Sequence, residues 1–98
     1  MNTAAHLLDL IKIDRAISTG LLFQSTEGKV IVLNILKNET LAEHITKIPA
    51  ILVCIDGKAI YTEENKEILM SPGTFINIPE NKIHKVAALE NTNFLLIK

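Results

Sequence analysis

Two histidines, His44 and His84, are the residues of this 98-residue chain best suited to chemistry. A neutral imidazole can ligate a metal, take up a proton or orient a ligand near neutral pH. A zinc, iron or manganese centre needs at least three protein ligands, often two histidines and a carboxylate when the site stays open. The third histidine, His6, falls in an N-terminal segment of helical character and reads as a surface residue. Cys54 is the only cysteine. No arginine or lysine is expected on its face to lower its pKa, so it reads as a small buried hydrophobe rather than a nucleophile. Ser18, Ser25 and Ser71 lie in no G-x-S-x-G context and have no acid–base partner, so serine hydrolysis finds no support.

Strands must position these residues. Ala4, Leu7, Leu8 and Ile11 recur at helical spacing, with Asn2 or Thr3 as N-cap, and predict a short helix over 3–11. From Ala16 on, the chain is a series of short runs rich in Ile, Val, Leu and Thr, separated by turn residues about every 8 to 12 positions. Gly28 suits a hairpin turn. Asp56-Gly57 reads as a stronger one, because both residues tolerate positive φ. Further breaks fall at Asn38-Glu39, Pro49, Glu63–Lys66, Ser71-Pro72-Gly73, Pro79 and Glu90-Asn91. About nine strands result. The gaps between them are too short for parallel crossovers, so the sheets are expected to be antiparallel. The chain is read as one all-β domain over 1–98, with its barrel at about 16–97. Alternation puts His44 and Thr46 on one face of their strand, with Glu43, Ile45 and Lys47 on the other. Likewise Ala50, Leu52 and Cys54 share a face, as do His84 and Val86.

Composition excludes several classes. The net charge is −1 and Arg15 is the sole arginine. Nucleic-acid binding would want clustered Arg and Lys among stacking aromatics, and neither is present. The segment MNTAAHLLDLIKID has no basic leader, and Asp9 and Lys12 interrupt its apolar run. It reads as neither signal peptide nor membrane span. One cysteine fits a reducing compartment, so the protein is expected in the cytoplasm. Hydrophobic residues make up 48% of the chain. A second copy is therefore expected to cover part of that surface, giving a homodimer.

The order and spacing of these features resemble the cupin superfamily, in its small single-domain, RmlC-like form. The family's second motif, G-x5-P-x-G-x2-H-x3-N, runs here from Gly73 through Pro79 and Asn81 to His84 and Ala88. Its first, G-x5-H-x-H-x3,4-E-x6-G, runs from Asn38 through His44 to Gly57. Thr46 stands at the second histidine position, and Ala50, or Ile51 with the longer spacing, at the glutamate. Asn38 and Asn81 replace glycines at positions that usually need positive φ, which Asn tolerates best after Gly. The resemblance implies a double-stranded β-helix, or jelly-roll, barrel with a pocket at one mouth, and a dimer.

It also implies that half of the family's metal ligands, three histidines and a glutamate, are gone. Glu43 faces away from His44, Glu80 and Glu90 sit in turns, Cys54 lies deeper, and Thr46 has only a neutral hydroxyl. His44 and His84 are the remaining metal positions. A divalent ion (Zn, Fe, Mn or Ni) is expected at most weakly held, with water or ligand completing its shell. His44, Thr46, Ala50, Tyr61, Phe75 and His84 are the expected ligand-binding residues. The resulting expectation is a barrel that binds a small polar ligand, such as a sugar or organic acid, without catalysis. Two alternatives stand beside it. One is a metal-dependent isomerase or dioxygenase that draws a third ligand from elsewhere. The other is a ligand-sensing or assembly module that acts through a partner protein.

Overall fold

The structure is a computed structural model, and it describes residues 3–12 and 14–98. Among the described residues nine strands carry the fold: β1 Ile17–Gln24, β2 Lys29–Ile35, β3 Thr40–His44, β4 Ala50–Asp56, β5 Ala59–Glu63, β6 Lys66–Met70, β7 Phe75–Ile78, β8 His84–Ala88 and β9 Thr92–Ile97. They form a five-stranded sheet in the order β1-β2-β9-β4-β7 and a four-stranded sheet in the order β3-β8-β5-β6. Every pairing is antiparallel. After the β1–β2 hairpin the chain passes from one sheet to the other at nearly every step. This is a jelly-roll barrel, as the strand count and short gaps predict.

The alternating burial of the strands explains the closure. On β4, Ala50, Leu52 and Cys54 are buried while the residues between them are not. On β8, His84, Val86 and Ala88 are buried in the same alternation. Side chains of period two place one apolar row of each sheet against the other. Phe94, Leu52 and Ile35 of one sheet and Tyr61, Met70 and Val86 of the other fill the space between. Removing the Phe94 ring alone would cost about 3–5 kcal/mol by the usual cavity penalty.

Three expectations change. First, Asp56-Gly57 is no hairpin turn: β4 pairs with β7 and β9, and β5 with β6 and β8. The same holds for β3 and β4, which lie in different sheets. Asp-Gly supplies the backbone freedom for a sharp turn, but packing decides where the chain goes next. Only Gly57 takes positive φ, at 90°. A Cβ there would meet the Asn91 carbonyl oxygen and lie 2.7 Å from Thr92 Oγ1. Hairpins close at Ser25–Gly28, as Gly28 led one to expect, and at Glu64-Asn65, whose φ of 48° and 68° suit a two-residue turn.

Second, the N-terminal helix is one 3₁₀ turn over Leu7–Leu10. Its cap is His6, which accepts from Leu8 N–H while the Asp9 carboxylate accepts from His6 N–H. Thr3 is thus not the cap, and Asn2 lies outside the described residues. So short a helix gains little from propagation. The chain instead turns extended at Ile11, which is buried. Gly20 lets this segment lie on the outside of β1, because a Cβ there would meet the Leu10 carbonyl oxygen and sit 2.7 Å from Leu10 Cβ.

Third, Phe75 faces outward and is 60% exposed. Alternation on β7 gives the inward positions to Ile76 and Ile78, both of which pack with the core. Asn38 and Asn81, by contrast, adopt φ of 68° and 62°, as their glycine-like positions require.

These backbone demands differ in cost. Gly57→Ala should lower unfolding free energy by about 2 kcal/mol or more in urea denaturation, since it adds strain and a clash. Asn81→Gly should change it by only a few tenths, because both residues accept that φ.

Candidate functional site

His44 and His84 meet at one end of the barrel. They are paired across β3 and β8, with ring centroids 4.2 Å apart in an edge-on arrangement. A bulge in β3 makes this possible. Leu41 pairs with Val86 and His44 with His84, so three steps on β3 match two on β8. Leu41 packs on the core. Strict alternation would then send Glu43 inward; the extra residue shifts the parity and sends His44 instead. Glu43 is exposed and lines an outer cleft.

The hydrogen bonds determine the tautomers. His44 Nδ1 lies 2.8 Å from the Ala42 carbonyl oxygen, and His84 Nδ1 lies 3.1 Å from that of Lys82. A carbonyl only accepts, so each Nδ1 carries the proton and donates it. Each neutral ring therefore keeps its lone pair on Nε2. His44 is exposed at the rim, whereas His84 is buried. Burial, and next the nearby His44, pull the His84 pKa below its ordinary value, with the Lys82 carbonyl opposing.

Tyr61, from β5, stacks on His84 at 5.8 Å and is buried. Its hydroxyl donates to Glu63 Oε1 at 2.7 Å. Burial, followed by that carboxylate, raises the Tyr61 pKa and keeps the phenol neutral. Glu63 is the residue that sequence reasoning missed, having assigned it to a polar loop. It closes β5 directly opposite His84, so Glu63, His84 and His44 form one row across three strands. The signal was present: Tyr61 and Glu63 are two apart on a strand and must share a face.

Thr46 is in the loop after β3. Its carbonyl accepts from Asn81 N–H at 2.8 Å, tying two rim loops together. Its hydroxyl is buried and has no partner among the described residues. Ala50, at the start of β4, is buried and helps line an open cleft of about 510 Å³ with Glu63, Ile78, Pro49 and Pro79. Glu64 and Lys82 pair at 2.7 Å across the outer rim. Cys54 is buried deep in the barrel, where desolvation chiefly raises its thiol pKa. Phe75, on the outer face, is not part of the site.

A metal would find two imidazole Nε2 atoms here and little else. No group of three His, Cys, Asp or Glu among the described residues is placed to hold an ion. Thr46 and Ala50 occupy the positions where ligands would be needed, and Glu63 is engaged by Tyr61. The donor set does not fit a tightly bound metal.

No protein-family model and no curated protein matches the chain. Among solved structures it is similar to an RmlC-like cupin from Desulfovibrio desulfuricans, with a TM-score of 0.82 at 18% identity over 99% of this chain and 95% of that one. A cupin superfamily protein from Desulfitobacterium hafniense gives 0.78 at 21% identity, over 84% and 75% of the two chains. This chain has the cupin fold. A conserved protein of unknown function from Streptococcus pyogenes also superposes on this cupin barrel, with a TM-score of 0.82 at 20% identity over 99% and 86% of the two chains. No helix among the described residues is long and apolar enough to cross a membrane.

The lowered His84 pKa has a sign. The unfolded chain binds a proton there at higher pH than the folded barrel does. Stability should therefore be full above about pH 6.5 and fall as the pH drops below it. Urea denaturation at about pH 7.5 and about pH 5 should show this loss, and His84→Gln should reduce it.

Proposed function

We propose that this cupin barrel binds a small polar ligand at the mouth formed by His44 and His84, as a single-domain binding protein rather than a metalloenzyme. The observation that carries the reading is the pair of locked tautomers, which offers two Nε2 lone pairs beside each other. Glu63 adds acceptor oxygens in the same row. A mouth lined by acceptors calls for a ligand that brings donors, so hydroxyl- or amine-bearing molecules such as sugars suit it better than bare carboxylates. Glu63 also lines the neighbouring cleft of Ala50, Ile78 and the two prolines, which offers apolar surface beside the histidine row.

Catalysis has less support. Catalytic power in a site of this type rests mostly on a metal acting as Lewis acid. The alternative of a metal-dependent enzyme has Glu63 as its one candidate third ligand, and that carboxylate is held by the Tyr61 hydroxyl. The single, buried cysteine supports a reducing compartment such as the cytoplasm.

Elemental analysis and NMR titration test the reading together. Purified protein should carry well under one transition metal per chain. Millimolar additions from a panel of sugars, amino sugars and polyamines should include one that shifts the His44 and His84 ring resonances. His84→Ala should abolish that response, and Phe75→Ala should keep it. One tightly held metal per chain, lost in Glu63→Gln, would overturn the proposal in favour of the enzyme.

A further inference from the structure

One row on the outer face of the five-stranded sheet is polar. Leu33 and Ile35 point into the core, so Asn34 between them points out. Phe94 is inside as well, which turns Asn93 outward. Asn34 pairs with Ser18 on one side and with Asn93 on the other. The next row, Val32, Leu95 and Val53, is apolar. Ser18 is already engaged, because its hydroxyl accepts from Lys12 N–H at 2.8 Å.

Asn34 is the unusual member of the row. It faces outward and yet is only 4% exposed. Its Nδ2 donates to Asn93 Oδ1 at 2.8 Å and to the Thr92 carbonyl oxygen at 3.4 Å. A carbonyl only accepts, so the amide cannot be turned over, and Oδ1 is the atom left free. That oxygen is buried and has no partner among the described residues. Folded chains keep few such acceptors, because water is lost to them and nothing replaces it.

Asn34 lies in the wall of an open cleft of about 530 Å³, with Leu8, Leu36, Lys37, Asn91 and Asn93. The cleft is outside the barrel. It sits by Asn38, which bonds to Ala88, at the end of β8 away from His84. Apart from Asn34 Oδ1, its free polar groups are donors. Asn91 Oδ1 accepts from Lys37 N–H at 2.7 Å and Asn93 Oδ1 accepts from Asn34, so each of these side chains keeps its Nδ2 to offer. Lys37 is exposed and has no carboxylate within ion-pair distance among the described residues. Asp56, which pairs with Asn93 from β4, does not line the cleft.

We infer that this cleft is a second binding site, and that its ligand is a small hydroxy acid. A hydroxyl of the ligand donates to Asn34 Oδ1, which a carboxylate could not do. The carboxylate takes the Lys37 ammonium and the Asn91 and Asn93 amides, as charge-assisted bonds. Leu8 and Leu36 give the carbon chain an apolar side. The 3₁₀ turn that carries Leu8 has no residue of its own in the core, so Leu8 moves aside for the hydroxyl to reach Asn34. The donors here select the opposite chemistry from the acceptors at the histidine mouth, and the site does not depend on that reading.

NMR titration of the isotope-labelled chain tests the site with three probes. Gluconate carries hydroxyls and a carboxylate, sorbitol has hydroxyls without the charge, and hexanoate has the charge without hydroxyls. Gluconate should move the side-chain amide signals of Asn91 and Asn93, and should bind about tenfold or more tighter than either of the others. Lys37→Gln should weaken it by about tenfold, while Lys66→Gln, on β6, should leave it unchanged. Asn34→Leu should remove the advantage of gluconate over hexanoate. Should that variant not fold, the exposed Lys37 and the three probes still decide. Amide signals that stay still up to about 50 mM gluconate overturn the inference and leave Asn34 Oδ1 to a buried water. Gluconate no better than hexanoate, or a response unchanged in Lys37→Gln, overturns it as well. Shifts confined to the His44 and His84 rings would place gluconate at the mouth and refute the second site.

Discussion

The interior between two sheets governs this chain. Each sheet must bury its inward row on the other, and the strands are distributed to make that happen. Phe94 and Tyr61, from opposite sheets, are among the largest fully buried side chains. Once they are packed, most consecutive strands lie in opposite sheets, and only β1–β2 and β5–β6 form hairpins among the described residues. β3, β4 and β5 go to alternate sheets, and the chain crosses the core at each step. Gly57 is required where β4 ends for this reason: the turn presses against Asn91 and Thr92, leaving no room for a side chain.

The site is a by-product of the same closure, refined by one irregularity. The β3 bulge lets Leu41 fill the core and still turns His44 to the mouth. Two backbone carbonyls then orient the imidazoles. The mouth holds two imidazoles and, in the same row, the Glu63 carboxylate. The result is a polar recess with acceptor character, buried on the His84 side and open on the His44 side. Tyr61 links the two levels of the structure. Its ring belongs to the core, its face stacks on His84, and its hydroxyl holds Glu63.

Much of this was legible in advance. Short apolar runs between turn residues announced the strands, and alternation correctly grouped Ala50 with Cys54 and His84 with Val86. Asn38 and Asn81 betrayed left-handed positions because few other residues accept them. Other features were not legible. The Asp56-Gly57 turn has the chemistry of a hairpin and the role of a crossover, since turn chemistry describes the bend and not the destination. Phe75 is aromatic and near the second motif, yet faces out, because only the burial of Ile76 and Ile78 sets the phase of β7. Glu63 was missed because a strand end and a loop look alike when the next residues are polar.

The sequence by itself determined the fold class, the strand count and which side chains were available for a site, because period, turn chemistry and side-chain identity are local properties. The tertiary structure alone decided which strands pair, that a bulge brings His44 rather than Glu43 to His84, and that Glu63 joins them. Those outcomes depend on register across strands distant in sequence. Register is set by the packing of the whole core, and no single segment contains it.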